Sequence, residues 1–482
     1  MKSKTPHVEA VASSPGKEED FNHTDGDALH HRPVRPSTTT FYLFLSLIFL
    51  AAFLQFPLSP ASFTHPFQPH PPRTIEERVK HILHHTPLID GHNDLAILIR
   101  AHYANHINNA TFRRLFSHGG LPGHVDLPRL KAGMSGGAFW SAFWPCPENG
   151  SDYSTPNYHS TVISTLQQLD LLHRLQTLYP SVFSPSTLSS TAALHAFHQH
   201  GRLISPLAIE GLHQIGNSPA LLRHYHTLGV RYATLTHNCG NAFADSALSE
   251  HPLRKADPVW HGVSPAGRRL VREMNRLGMI VDLAHASVET MMDVLGEGKA
   301  ISPEGEVWEG SLAPVMFSHS SVYAICPHPR NVPDRVLDAV KRKGGVVMVN
   351  FNPGFISCRD VGSADGLPRE EPGNATLEQV VRHVRYVGER IGWEHVGLGS
   401  DFDGIEETPR GLEDVGRYPA LVAELLRQGV REEDVKKVVG GNVLRVWREV
   451  ERVAEEMQRV GEEPLEEDEV EELLRVAGRR GV

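Results

Sequence analysis

The chain has 482 residues, 22% of them charged, and a formal net charge of −10. That length admits one large domain with appendages, or two or three ordinary ones, and leaves ample material for a buried core. No basic block interrupts the acidic balance, which argues against a nucleic-acid partner, because neutralising phosphates takes clustered Lys and Arg; small molecules are the expected partner class.

Residues 1–40 are polar, rich in Ser, Thr, His and Pro, and show no apolar period, so they read as a disordered cytosolic tail. "FYLFLSLIFLAAFLQF" follows without a charge, and Leu58 extends it to about the lower limit for crossing a bilayer. Arg32 and Arg35 precede this run and no Lys or Arg follows before Arg73, which places the N-terminus in the cytosol and the bulk of the chain outside. A cleaved signal peptide is the competing reading. The long polar leader speaks against it and for a retained transmembrane signal-anchor over residues 41–58. A proline-rich stretch then gives an extended stalk over residues 59–73. The rest is expected on the lumenal or extracellular side of a membrane.

Four cysteines occur, Cys146, Cys239, Cys326 and Cys358, none in a C-x-x-C pair. A thiolate zinc site is therefore not expected, and the oxidising compartment favours two disulfides over four free thiols. Sequons at Asn109, Asn149 and Asn374 fit a glycosylated domain on that side.

Past the stalk, eight apolar, β-rich runs recur: "TPLIDGH", "GGAFWSAFW", "ISPLAIEG", "RYATLTH", "GMIVDLAH", "APVMFSH", "GGVVMVNF" and "HVGLGSDFDG". Their hydrophobicity is continuous rather than alternating, as in strands covered on both sides. Segments of helical period separate most of them. "PAGRRLVREMNRLG" puts Leu270, Val271, Met274 and Leu277 on one face and stops at Gly278, and "ATLEQVVRHVRYVGERIG" does the same with Leu377, Val380, Val381 and Val384. The pattern predicts an α/β fold, a single (β/α)8 TIM-like barrel over residues 74–455. A charged tail, residues 456–482, is expected to end in a solvated helix and has no hydrophobic stretch of the kind that signals a glycolipid anchor.

Histidine is abundant, at 30 residues, so position must separate ligands from ordinary core or surface histidines. Taken alone, the "HND" of "PLIDGHNDL" is better explained by a polar strand exit than by a metal site. Six of the eight runs, however, end in His or a carboxylate: His92 with Asp94, Glu210, His237, His285, His319, and Asp401 with Asp403. The carboxyl ends of barrel strands converge on one face, where barrel active sites lie, so these endings form one constellation. Nitrogen and oxygen donors without thiolate suit zinc or another divalent first-row metal. Four histidines and several acids exceed one tetrahedral site, which points to two ions bridged by a carboxylate.

These segments resemble the membrane dipeptidase family, also called renal dipeptidases, which are zinc hydrolases on a (β/α)8 barrel. The similarity runs from about Pro87 to Val450 through "IDGHNDL", "AIEGLHQIG", "LTHNC", "VDLAHAS", "FSHSS", "RNVPD" and "GLGSDFDGIEETPRGLEDVG", in the family's order. The resemblance implies two Zn2+ ions, with His92 and Asp94 on one, His285 and His319 on the other, and Glu210 bridging. It implies that His237 contacts the substrate and stabilises the oxyanion, that Arg330 holds the dipeptide's free carboxylate, and that Asp401 shuttles the proton. Hydrolysis would proceed by a metal-bridging hydroxide. The pairs Cys146 with Cys239 and Cys326 with Cys358 are implied as disulfides, and Asp403 is left as a helix cap.

Animal members of that family use a C-terminal lipid anchor and a cysteine that links subunits. This sequence shows neither, so the resemblance leaves attachment to the N-terminal helix and leaves a non-covalent homodimer open. Two other readings stand beside a membrane-anchored dipeptidase: a barrel hydrolase acting on cysteinyl-glycine conjugates or β-lactams in specialised metabolism, and a catalytically silent surface or adhesion protein that keeps the barrel as scaffold.

Overall fold

Eight short parallel strands lie at the centre of the computed structural model, which describes residues 74–298 and 308–466. They are β1 (Leu88–Asn93), β2 (Ser135–Ser141), β3 (Leu207–Glu210), β4 (Val230–Thr234), β5 (Ile280–Asp282), β6 (Met316–Phe317), β7 (Val346–Val349) and β8 (Val396–Leu398). Each coincides with one of the eight apolar runs to within a residue and pairs with its neighbours in chain order. A parallel bridge between Asn93 and Phe402 brings the first and last strand ends together. Beside it the Asp94 N–H donates to the Phe402 carbonyl (2.9 Å) and the Asp401 N–H to the His92 carbonyl (3.2 Å). The result is a nearly closed (β/α)8 barrel. The expected tail, anchor and stalk over residues 1–73, and the last part of the charged tail from residue 467, lie outside the described residues. Among the described residues no helix is long and apolar enough to cross a membrane.

Strand alternation separates two cores. Ile89, Phe139, Ala208, Tyr232, Ile280, Met316, Val346 and Met348 form the barrel interior, while the alternate positions Leu88, Leu207, Ile209, Val281, Val347 and Val349 join the layer between sheet and helices. Crowding inside the barrel demands glycine at Gly91, where a Cβ would fall on the Ser318 carbonyl oxygen and 2.6 Å from Met348 Sδ.

The helices form where the apolar period requires them. The helix Pro265–Leu277 is capped by the Ser264 hydroxyl, which accepts from the Gly267 N–H at 3.0 Å. It buries Leu270, Val271 and Met274 and ends at Gly278 in the left-handed region (φ +82°). The helix Leu377–Ile391 buries Val380, Val381 and Val384 behind a Thr376 cap. The final helix, Asn442–Arg459, extends beyond the barrel limit expected at residue 455. Its Arg445 Nη1 donates to the Gly344 carbonyl ahead of β7 (2.7 Å), and Ala454 and Glu451 flank Gly278 ahead of β5. The helix thus crosses the amino ends of the strands and inserts Val446, Trp447 and Val450 into the interior core. Past it, Leu465 is still tied down, its carbonyl accepting from Arg223 at 2.7 Å.

The segment between Asn241 and Gly262, for which the sequence gives no element, holds an antiparallel hairpin, Leu248–Glu250 with Leu253–Lys255. A second pairing joins Cys358–Arg359 to Arg369–Glu370, and the Lys255 N–H reaches across to the Asp365 carbonyl at 2.8 Å. Cys146 is bonded to Cys239 and Cys326 to Cys358. Asn109, Asn149 and Asn374 are all exposed.

Trp447 fills the barrel floor against Phe139, at 5.6 Å between ring centroids. Trp447→Ala is expected to cost roughly 3–5 kcal/mol of stability, measurable as a lowered denaturation midpoint of the purified protein.

Candidate metal centre and active site

Glu210 ends β3 as an inward position, and its two carboxylate oxygens face different partners. Oε1 lies 2.9 Å from His285 Nε2 and 3.4 Å from His319 Nε2. Oε2 lies 3.5 Å from His92 Nε2, which in turn lies 2.9 Å from Asp94 Oδ2. His285 and His319 point their Nε2 atoms at each other from 2.9 Å. All five side chains are buried. They fall into two groups of potential ligand atoms, His92/Asp94/Glu210 and Glu210/His285/His319, and Glu210 is common to both.

Buried acids and imidazole lone pairs converging in this way require positive charge between them. Asp94 Oδ1 has no hydrogen-bond partner among the described residues. The donor set of nitrogen and oxygen atoms fits a divalent metal ion. Burial acts to raise the Glu210 pKa, but the surrounding histidines outweigh it and hold the carboxyl well below its ordinary range.

Each histidine in the two groups is oriented through its other nitrogen. His92 Nδ1 meets the Tyr232 hydroxyl at 2.5 Å, His285 Nδ1 meets Asn238 Oδ1 at 2.9 Å, and His319 Nδ1 meets the Ser318 hydroxyl at 2.8 Å. Behind Ser318, Asp282 accepts from its hydroxyl (2.6 Å), its N–H (2.7 Å) and the Thr234 hydroxyl (2.7 Å). Asp90 plays the same part near His92, accepting from the Ser400 N–H (2.7 Å) and the Tyr418 hydroxyl (2.7 Å). Sequence reasoning missed Asp90, Asp282, Tyr232 and Asn238. A signal existed for the two acids, since each lies within an apolar strand two or three residues ahead of a histidine of the site.

Asp401 lies on the same face, within ligand range of His92 and His319. Its Oδ2 accepts from Asn350 Nδ2 at 3.0 Å. Burial first, and then the neighbouring Asp94 and Glu210 charges, push its pKa up to about 7 against the opposing effect of His92. Its backbone is left-handed at φ +66°, as is that of His285 at +62°, a strained choice for residues with a Cβ. Gly404 completes the turn, and a Cβ there would collide with both Asp94 Oδ2 and Asp401 Oδ1.

His237, just past β4, directs Nε2 toward Glu210 Oε1 (4.0 Å) and Nδ1 toward Glu250 Oε2 (3.7 Å). Phe143 and His285 flank its ring. Arg330 is 1% exposed, and its guanidinium lies over the Phe355 ring, 5.3 Å from the centroid. None of its three side-chain nitrogens has a hydrogen-bond partner among the described residues. Burial lowers its pKa to about 10, while Asp401, Glu210 and Asp282 act to raise it. A buried, unpaired guanidinium beside a set of metal donors is a site prepared for an anion. The disulfides brace these loops: Cys239 lies two residues past His237, and Cys326 lies between His319 and Arg330.

Asp403 is not the helix cap expected from the sequence. No α-helix begins between Asp403 and Tyr418, and the Asp403 carboxylate instead accepts the His124 N–H at 2.6 Å.

Comparison with known proteins gives a consistent result. The membrane dipeptidase family (peptidase family M19) matches residues 76–461. The chain is 43% identical over 432 residues to dipeptidase aclJ of Aspergillus oryzae, covering 88% of this chain and 91% of that protein. It is 44% identical over 384 residues to dipeptidase tcpJ of Claviceps purpurea, covering 80% and 81%. Among solved structures, a metallopeptidase from Rhodobacter sphaeroides liganded with a phosphinate mimic of the dipeptide L-Ala-D-Ala aligns with a TM-score of 0.61. It is 26% identical and covers 76% of this chain and 99% of that one.

Removing the partner of His92 Nδ1 by Tyr232→Phe is expected to weaken metal binding roughly ten- to hundred-fold, read out by competition with a chromogenic chelator.

Proposed function

Because the chain belongs to the membrane dipeptidase family, we propose that it is a membrane-anchored dizinc dipeptidase that hydrolyses the peptide bond of small dipeptides. The observation that carries this reading is the single buried carboxylate of Glu210, shared between two sets of ligand atoms. The R. sphaeroides peptidase, liganded with its phosphinate dipeptide mimic, supports the substrate class.

His92, Asp94 and Glu210 would hold one zinc ion and Glu210, His285 and His319 the other. When bound, such a pair supplies hydroxide near neutral pH and polarises the scissile carbonyl. Arg330 takes the free carboxylate of the substrate in a charge-assisted contact, which satisfies its guanidinium and selects a peptide that ends one residue past the cleaved bond. His237, with Nε2 facing the centre, donates to the oxygen on which negative charge develops. Asp401 accepts the proton of the nucleophile and returns it to the leaving amine. Asn350 fixes one oxygen of that carboxylate and leaves the other for the transfer.

The apolar run over residues 41–58 anchors the protein with the catalytic domain on the lumenal or extracellular side. The charge asymmetry of that run, the two disulfides and three exposed sequons support this orientation.

Purified protein loaded with zinc is expected to carry two ions per chain by elemental analysis and to cleave plain dipeptides, and Glu210→Ala to lose both metal and turnover. Cleavage of cysteinyl-glycine conjugates or β-lactams in place of dipeptides would shift the substrate class, and metal without any turnover would favour a scaffold role. Arg330→Met is expected to lower kcat/KM on dipeptides by ~2–4 kcal/mol, roughly 30- to 1,000-fold. The same variant should leave the slow cleavage of C-terminally amidated dipeptides nearly unchanged in parallel assays.

A further inference from the structure

Asp401 reaches the site from a turn that has little intrinsic stability. Both Asp401 and Asp403 have left-handed backbones at φ +66°, and left-handed residues with a Cβ persist only where their surroundings over-determine them. One side of the turn is secured by the barrel. Ser400 donates to Asp90 from its N–H at 2.7 Å and from its hydroxyl at 2.5 Å, and the Phe402 carbonyl accepts the Asp94 N–H.

The other side is held by residues with no place in the chemistry. The Asp403 N–H donates to His124 Nδ1 at 2.9 Å, and the His124 N–H donates to Asp403 Oδ1 at 2.6 Å. These two bonds form a reciprocal clamp between the turn and a loop 279 residues away in sequence. The Asp403 side chain is fully buried and that of His124 is 15% exposed. The loop is itself fixed from its own side: Arg129 donates to the Gly123 and Leu121 carbonyls at 2.5 and 2.8 Å, and the Gly120 N–H donates to Asp126 Oδ2 at 3.1 Å. Gly123, at φ +81°, comes so close to Asp403 Oδ1 that a Cβ would collide with it. The His124 ring also rests against Phe402, 5.3 Å between centroids. Neither His124 nor Asp403 belongs to a group of potential metal ligands.

We infer that His124 is a positioning residue for Asp401: through its paired bonds to Asp403 it holds the left-handed turn that aims the Asp401 carboxylate at the reaction centre. The inference rests on the reading of Asp401 as the group that moves the proton. If the acceptor at Nδ1 is lost, the Asp403 N–H has no partner and the turn relaxes toward ordinary backbone. Asp401 is then displaced, while the metal ligands and Arg330 stay where they are.

Substitutions in the full-length, zinc-loaded protein test this. Asparagine places an acceptor near the position of Nδ1, whereas glutamine places one near Nε2. His124→Asn should therefore keep kcat within about three-fold of the natural protein, and His124→Gln and His124→Ala should each lose ten- to hundred-fold in kcat. KM should stay within about two-fold and metal content should be unchanged. The loss should shrink on a depsipeptide analogue, whose alkoxide leaving group depends less on proton delivery than an amine does. Equal activity of the Asn and Gln variants, or a loss accompanied by lost metal, would overturn the inference. An Asp401→Asn variant assayed beside them separates the two ideas. Near-natural turnover there would bring down the proton-transfer reading itself, whereas an inactive Asp401→Asn with a fully active His124→Gln would bring down the clamp alone.

Discussion

Two oxygens of one buried carboxylate set the terms for the rest of this site. Glu210 meets His92 on one side and His285 and His319 on the other, and with Asp94 and Asp401 it brings three acids into one buried pocket. Like charges at such a distance are tolerated only where positive charge is supplied among them. The barrel provides part of it as Arg330, and the arrangement of histidine nitrogens accommodates metal for the remainder. Burial raises Asp401 while the histidines lower Glu210, so neighbouring carboxyls of the same pocket are driven in opposite directions. Such divergence lets one acid stay ionised beside another poised to exchange protons.

The surrounding structure serves to keep these groups from collapsing onto one another. Each of these three histidines is held at Nδ1 by a different element: Tyr232 from β4, Asn238 from the loop beyond it, and Ser318 at the end of β6, itself gripped by Asp282 of β5. Strand pairing therefore sets the spacing of the candidate ligands, and side-chain hydrogen bonds set their rotation. The loops that carry His237 and Arg330 lie beyond the strands and are tied only by single bridges such as Ala244 with Val263 and Val322 with Val332 among the described residues. The two disulfides staple them, the second to the segment beyond β7, and the hairpin past His237 touches that segment through Lys255 and Asp365.

Much of this was legible in the sequence, for identifiable reasons. A parallel barrel buries both faces of every strand, so its strands appear as continuous apolar runs, and all eight were visible that way. The ligands fall at the strand exits, where a polar residue after such a run stands out, and several of these occupy motifs that resemble a known family. Residues inside the runs were harder to read. Asp90 and Asp282 look like acids that serve only the N–H two residues on until further donors arrive from Ser318 past β6 and Ser400 past β8, each more than 30 residues away. Asp403 was misread because Asp before a loop commonly caps a helix, whereas here its partner is His124, far away in sequence. Short-range pattern reports what a residue does to its own backbone, and these residues act on somebody else's.

The last helix, Asn442–Arg459, has a consequence for how the molecule is made. It lies across the barrel floor, and Val446, Trp447 and Val450 complete the interior that Ile89 and Phe139 begin. On a ribosome the first strands emerge more than 300 residues before these plugging side chains. During all of that time the inner faces of the early strands have no permanent cover. The barrel therefore matures late, once nearly the whole chain has been made and its final helix closes the base.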